Sequence, residues 1–268
     1  MPFVEIARTP TFTEGPVFDR DGTLYFTSNE GLHKVSPDGR KSDWVLNKDA
    51  GFNGQKILPD GTHLVCASKK GAVWRMNAAG ERTGDAAIEC EGRPLRAPND
   101  ITLDDASGFY FTDPGGSRAA PIGTVHFTSR RGVTTQAAGG LRVPNGLVLS
   151  ADRKFLFVAE TVPNRVLRFP VIAPGRLGVM AVVAELPGRD GHEAAPDGLA
   201  LGPANTLLVA HLGTESLFQL NYSGQIVRQF KTGLYDTSNL AVIKSNVYVT
   251  GSIGHRTNSA GRVHLVGV

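Results

Sequence analysis

Apolar residues along this chain fall into short β-branched and aromatic runs, separated by turns rich in Asp, Gly, Ser and Pro. Leu24-Tyr25-Phe26-Thr27, His63-Leu64-Val65-Cys66, Phe109-Tyr110-Phe111-Thr112, Phe155-Leu156-Phe157-Val158, Thr206-Leu207-Leu208-Val209 and Val247-Tyr248-Val249-Thr250 are the clearest. Runs of this length, bounded by turn residues, suit strands buried on both faces. Asp21-Gly22 and Asp60-Gly61 stand just ahead of two of them and are strong hairpin signals. A further run follows each one, at 32–35, 72–76, 124–127, 165–169, 216–220 and 262–266. No segment sustains an apolar stripe at helical spacing, so little helix is expected.

The runs recur as one repeating unit. It opens at Glu14-Gly15-Pro16, Phe52-Asn53-Gly54, Pro98-Asn99-Asp100, Pro144-Asn145-Gly146, Pro196-Asp197-Gly198 and Ser238-Asn239-Leu240, with spacings of 39, 46, 46, 52 and 42 residues. A period of about 45 residues accommodates four short strands, the size of one propeller blade. The pattern therefore predicts an all-β, six-bladed β-propeller of four-stranded antiparallel blades, occupying 1–268 as a single domain. The sixth unit ends after its third strand, whereas Phe3-Val4-Glu5-Ile6-Ala7 reads as a strand with no unit of its own. That N-terminal strand is expected to complete the last blade and close the ring, which removes an exposed edge.

Composition narrows the functional classes. The 32 Gly and 16 Pro of the 268 residues punctuate the repeat rather than forming a low-complexity tract. The 28 basic and 25 acidic side chains leave a formal charge of only +3, with no basic run, so nucleic acid is not an expected partner. Cys66 and Cys90 lack metal-ligand or C-x-x-C spacing, and Cys66 sits in an apolar run as a small buried thiol. Residues 1–8 show no basic segment followed by an apolar one, and the longest apolar stretch, near 179–184, is too short to cross a bilayer. A cytoplasmic monomer without membrane contact is the resulting expectation.

In a propeller the innermost strands all start near the axis at one end of the channel, so their opening residues converge. Here these are Glu14, Asn53, Asn99, Asn145, Asp197 and Asn239, all with a side-chain oxygen. Oxygen-only donors suit hard divalent cations, and one Glu with one Asp matches the charge of such an ion. Pro-Asn-Gly and Pro-Asp-Gly are also ordinary turn sequences, so any one Asn or Asp taken alone favours turn chemistry over a ligand role. Glu14 does not, because Glu is a weak turn former.

Four of these openings, Glu14-Gly15-Pro16, Pro98-Asn99-Asp100, Pro144-Asn145-Gly146 and Pro196-Asp197-Gly198, resemble the metal-ligand motifs of the senescence marker protein (regucalcin)/gluconolactonase/luciferin-regenerating enzyme-like family. Phe109-Tyr110-Phe111-Thr112-Asp113-Pro114 is similar to its gluconolactonase branch. The resemblance implies a propeller that hydrolyses a small, polar, sugar-type lactone at one divalent cation. It also implies that Glu14, Asn99, Asn145 and Asp197 hold that cation and that Asp197 is the general base. Calcium is the first expectation for the ion, with zinc, manganese and iron as alternatives. An arginine ahead of the third opening contacts substrate in the family. In Gly92-Arg93-Pro94-Leu95-Arg96 the spacing departs from the family patterns, which leaves Arg96 first and Arg93 second.

Asn53, Asp113, His211 and Asn239 complete the candidate substrate contacts, and His192 is a candidate lid residue. No G-x-S-x-G, P-loop, H-E-x-x-H or dinucleotide fingerprint occurs in a suitable context, which argues against serine-based hydrolysis. Two alternatives stay open. One is an organophosphate or other ester hydrolase at the same metal site, and the other is a non-catalytic propeller that binds a partner through one face.

Overall fold

The structure is a computed structural model that describes residues 3–104, 107–188, 193–255 and 259–267. His192 lies outside these residues. Strand β1 (Val4–Thr9) leads into blade 1, formed by β2 (Thr13–Phe18), β3 (Leu24–Ser28), β4 (Gly31–Val35) and β5 (Lys41–Leu46). Blade 2 holds β6 (Phe52–Ile57), β7 (His63–Ala67), β8 (Ala72–Met76) and β9 (Arg82–Ala87). A small hairpin, β10 (Glu89–Cys90) with β11 (Arg93–Pro94), sits in the connection to blade 3. Blade 3 comprises β12 (Ile101–Asp104), β13 (Gly108–Asp113), β14 (Gly123–Ser129) and β15 (Thr134–Leu141). Blade 4 has β16 (Pro144–Leu149), β17 (Phe155–Glu160), a long β18 (Arg165–Ala173) that folds back through β19 (Arg176–Leu177), and β20 (Ala181–Glu185). Blade 5 is β21 (Ala195–Gly202), β22 (Thr206–Leu212), β23 (Ser216–Asn221) and β24 (Ile226–Lys231). Blade 6 contains β25 (Asp236–Ile243), β26 (Asn246–Ser252) and β27 (Gly261–Val266), with β1 as its outer strand.

The expected architecture is therefore present, a six-bladed β-propeller of antiparallel sheets. Helix is confined, among the described residues, to two 3₁₀ turns at Ser68–Lys70 and Pro203–Asn205. Closure is made by β1 against β27, running from Val4 opposite Leu265 to Thr9 opposite Gly261. Blade 1 is tied to blade 6 as well, because the Thr13 hydroxyl accepts from the Gly251 amide at 2.9 Å and donates to the Arg262 carbonyl at 2.7 Å.

Period-2 alternation explains why the second strands are almost wholly apolar. Successive side chains point to opposite faces, and each face meets a neighbouring blade. Leu64 and Cys66 pack toward Phe109 and Phe111 of blade 3, whereas Val65 and Ala67 pack toward Leu32 of blade 1. Tyr110 joins Leu156 and Leu167 of blade 4, and Phe157 joins Leu207 and Phe218 of blade 5. Leu208 packs with Val249, and Val263 with Phe26 and Leu24. The core is thus a ring of inter-blade wedges, while fourth strands such as β5 and β24 stay largely exposed.

The innermost strands carry the feature that builds the site. In five of them pairing with the second strand slips by one residue near its start, and in blade 3 Asn99 N–H donates to the Thr112 carbonyl while Thr112 N–H donates to the Asp100 carbonyl. Pro144 faces Glu160 but Leu147 faces Val158, Pro196 faces His211 but Leu199 faces Val209, and Thr237 faces Gly251 but Leu240 faces Val249. Phe52 opposite Ala67 and Gln55 opposite Val65 follow the same rule. Such a bulge inserts an extra residue and re-aims its side chain. Two residues per blade therefore lie in equivalent positions around the axis. Glu14, Asn53, Asn99, Asn145, Asp197 and Ser238 form the first ring, and Gly15, Gly54, Asp100, Gly146, Gly198 and Asn239 form the second.

Candidate active site at the channel mouth

Contacts between blades join the opening residues into a closed circle. A Cβ on Gly15 would lie 2.5 Å from the Asn53 carbonyl, so blade 1 meets blade 2 with no room for a side chain. The Gly54 amide donates to the Asn99 carbonyl at 2.8 Å, and the Thr112 hydroxyl of blade 3 donates to the Asn145 carbonyl at 2.7 Å. Thr161 of blade 4 donates to the Pro196 carbonyl at 3.1 Å, and Ser238 of blade 6 donates to the Thr13 carbonyl at 2.8 Å. Backbone hydrogen bonding and glycine contacts thus fix where each opening side chain begins.

Glu14 and Asp197 are buried, with 7% and 1% of their surfaces exposed. Burial, and then the charge of Asp197, push the Glu14 carboxyl well above the usual carboxylate range. The Gly15 amide donates to Glu14 Oε2 at 2.8 Å and Asn239 Nδ2 donates to the same oxygen at 3.0 Å. No hydrogen bond reaches Oε1 among the described residues, so that oxygen is the one available to a ligand. Asn145 is buried as well, and its Nδ2 lies 3.5 Å from Thr161 Oγ1, which leaves the amide oxygen as its free donor atom. Asn99 is half-buried, and Asn53 is half-buried against Gly15.

This donor set fits a hard divalent cation. Two buried carboxylates that repel each other are stabilised by a positive charge between them, and amide oxygens complete an oxygen-only shell. The described residues contain no cluster of three or more His, Cys, Asp or Glu side chains that could hold a metal, so a softer nitrogen- or sulfur-rich site is not formed by them.

Asn239 departs from the repeat as read in the sequence. The register places Ser238, not Asn239, in the first ring, and Asn239 lies one position further in. Its side chain turns toward Glu14 and its Oδ1 accepts from its own neighbour, the Leu240 amide, at 2.8 Å. Asp100 occupies the equivalent position in blade 3 and was not singled out by spacing. It is 2% exposed, and burial raises its pKa despite the opposing charge of Lys56.

The remaining candidates are placed as follows. Asp113 directs its carboxylate at the backbone, with Oδ2 accepting from the Arg96 amide at 2.8 Å and Oδ1 from the Ala97 and Gly115 amides at 3.0 Å. It holds the loop that carries Arg96. Arg96 is exposed, with Nη1 donating to the Ile122 carbonyl at 3.0 Å, and Arg93 lies in the β10–β11 hairpin. Both line a polar side cavity of about 90 Å³ together with Asp113, Thr124, His126 and Gln136. His211 is fully buried, with Nε2 2.9 Å from Asn164 Oδ1 and Nδ1 2.9 Å from the Thr214 hydroxyl. Burial lowers its pKa to about 4, so the ring is neutral and fastens blade 5 to blade 4.

Residues 12–252 match the sequence pattern of the SMP-30/Gluconolactonase/LRE-like region. Lactonase drp35 of Staphylococcus aureus strain USA300 is 29% identical over 238 residues, which is 85% of this chain and 72% of that protein. Among solved structures, a gluconolactonase from Xanthomonas campestris superposes with a TM-score of 0.84 at 20% identity, covering 99% of this chain and 89% of that one. A calcium-binding regucalcin from Agrobacterium tumefaciens gives 0.81 at 21% identity, covering all of this chain and 96% of its own. The family match spans most of the propeller and all six channel openings, and the chain belongs to the SMP-30/gluconolactonase/LRE-like family.

Proposed function

We propose that this protein hydrolyses a small polar lactone at a divalent cation held by Glu14, Asn99, Asn145 and Asp197, with calcium the first candidate ion. The observation that carries the reading is the pair of buried carboxylates, Glu14 and Asp197, at equivalent strand openings of a propeller of this family, with the charge of Asp197 raising the Glu14 carboxyl. The lactonase and gluconolactonase activities of its relatives agree with it.

When bound, the cation supplies Lewis-acid polarisation of the lactone carbonyl and stabilises the charge that develops on its oxygen. Asp197 takes the proton of the attacking water as general base, so turnover requires its ionised form. As the ring C–O bond breaks, the same carboxyl returns that proton to the departing alkoxide, which yields the hydroxy acid and restores the carboxylate. Glu14 and the two amides orient the ion without exchanging protons. Arg96, on the loop held by Asp113, and Asn53 at the rim offer hydrogen bonds to substrate hydroxyls.

A lactone panel followed by acid release, with and without chelator and with added calcium, zinc, manganese or iron, tests this. Hydrolysis of a sugar-type lactone that is lost to chelator and restored by one ion is the expected result. Turnover insensitive to chelator, or hydrolysis of phosphotriesters alone, overturns it.

A further inference from the structure

We propose that Asn239 braces Glu14 from the neighbouring blade and fixes which oxygen of Glu14 is offered to the cation. The inference rests on the cation reading above and adds a role for one residue behind its ligands. Four of the six second-ring positions are Gly, and the two that are not, Asp100 and Asn239, belong to blades 3 and 6, on opposite sides of the axis.

Their neighbours make room for them. A Cβ on Gly54 would stand 2.2 Å from Asp100 Oδ1, and a Cβ on Gly198 would stand 2.3 Å from Asn239 Oδ1. Both side chains adopt the same local conformation, each Oδ1 accepting from the following amide at 2.8 Å, Ile101 in one case and Leu240 in the other. For Asn239 this assigns the amide, since its oxygen takes the backbone N–H and its nitrogen is left to donate. That nitrogen donates to Glu14 Oε2 at 3.0 Å.

The consequence is directional. With the Gly15 amide on the same oxygen, Glu14 Oε2 has two donors and is turned inward, so Oε1 faces the mouth. A carboxylate held in this way ligates through one oxygen and does not swing between modes. Groups that orient metal ligands typically govern affinity by about 10–100-fold. Asn239 is thus a positioning residue acting through Glu14.

The test titrates Mn²⁺ and Ca²⁺ into the chelator-stripped full chain by calorimetry, with lactone kinetics at saturating ion. Asn239→Ala is expected to bind the ion about 10–100-fold more weakly while keeping its lactone KM and, once saturated, most of its kcat. Ion affinity within twofold of wild type in Asn239→Ala overturns the brace, as does a raised KM at unchanged affinity, the signature of direct substrate contact. Should Asn239→Ala not fold, as judged by its melting curve in chelator, Asn239→Ser decides in the same way. A wild-type chain that takes up neither ion overturns the cation reading and the brace together, whereas wild-type binding with unaltered variants overturns the brace alone.

Discussion

The two ends of the central channel are made by the same six strands and have opposite chemistry. At the mouth the strands present Glu14, Asn145 and Asp197, with Asp100 and Asn239 just inside. At the far end they enclose a cavity of about 460 Å³ whose walls include Val17, Leu147, Leu199, Leu201 and Leu240, with Lys56 the only basic side chain among the described residues that line it. Every innermost strand starts at the mouth, so whatever occupies its first two positions is multiplied sixfold around one point. The later positions are multiplied too, and there apolar residues hold the strands together. A polar site can therefore sit at one end of an otherwise ordinary core, because the bulge separates the residues that face ligand from those that pack.

Four substitutions or conditions test this division, in order of expected effect. Asp197→Ala should lower kcat on a susceptible lactone by about 10²–10⁴-fold, the range for removing a general base. Asp197→Asn should lose comparable activity while still taking up the ion in a calorimetric titration. Wild-type turnover in both would break the assignment of chemistry to the mouth. At the far end, Leu147→Ala should cost about 2–5 kcal/mol of stability in urea denaturation, as for other buried leucines, and leave ion affinity unchanged. A loss of ion binding without a loss of stability would show that the two ends are not separable in this way.

The third condition addresses the wall between the ends. His211 and His63 are buried and their pKa values are lowered from 6.5 to about 4 by desolvation. Between those values the unfolded chain binds protons that the folded chain does not, so acid favours unfolding. Their stabilising contribution is complete above pH 6.5 and is lost as pH falls toward 4, by roughly 3 kcal/mol per ring at 1.36 kcal/mol per unit. Urea midpoints at pH 7 and pH 5 should show this fall, and His211→Gln should flatten it. The smallest effect is expected at the rim, where Arg96→Ala should raise the lactone KM about tenfold with little change in kcat, the scale of one lost charge-assisted hydrogen bond. An unchanged KM would place substrate recognition elsewhere on the mouth.

The blade count, the strand order and the closure by Phe3-Val4-Glu5-Ile6-Ala7 were legible in the sequence because each rests on local signals, turn residues and short apolar runs repeated at a near-constant period. Glu14, Asn99, Asn145 and Asp197 were legible for the same reason, since each stands at the same offset from its blade. Asn239 was misaligned because Ser238-Asn239-Leu240 looks like the other openings, and only the pairing of Leu240 with Val249 reveals the one-residue difference. Asp100 escaped notice because its burial comes from blades that pack around the channel and not from its own neighbours in sequence. Asp113 and His211 looked like site residues because they are polar and follow strands. Their partners, three backbone amides in one case and Asn164 with Thr214 in the other, are set by loops whose course no periodicity encodes.

The pairing of β1 with β27 has a consequence for how the molecule is made. During synthesis β1 emerges before any other strand of the propeller, and its partner emerges after all five complete blades. Until then the wedge between blades 6 and 1, with Phe26, Leu24 and Val263, has only one side. The growing chain is therefore an open arc with two sticky faces, and the last strand to appear turns that arc into a ring. Because Glu14 belongs to the first blade and Asn239 to the last, the mouth and its central carboxylate are assembled in that same final step.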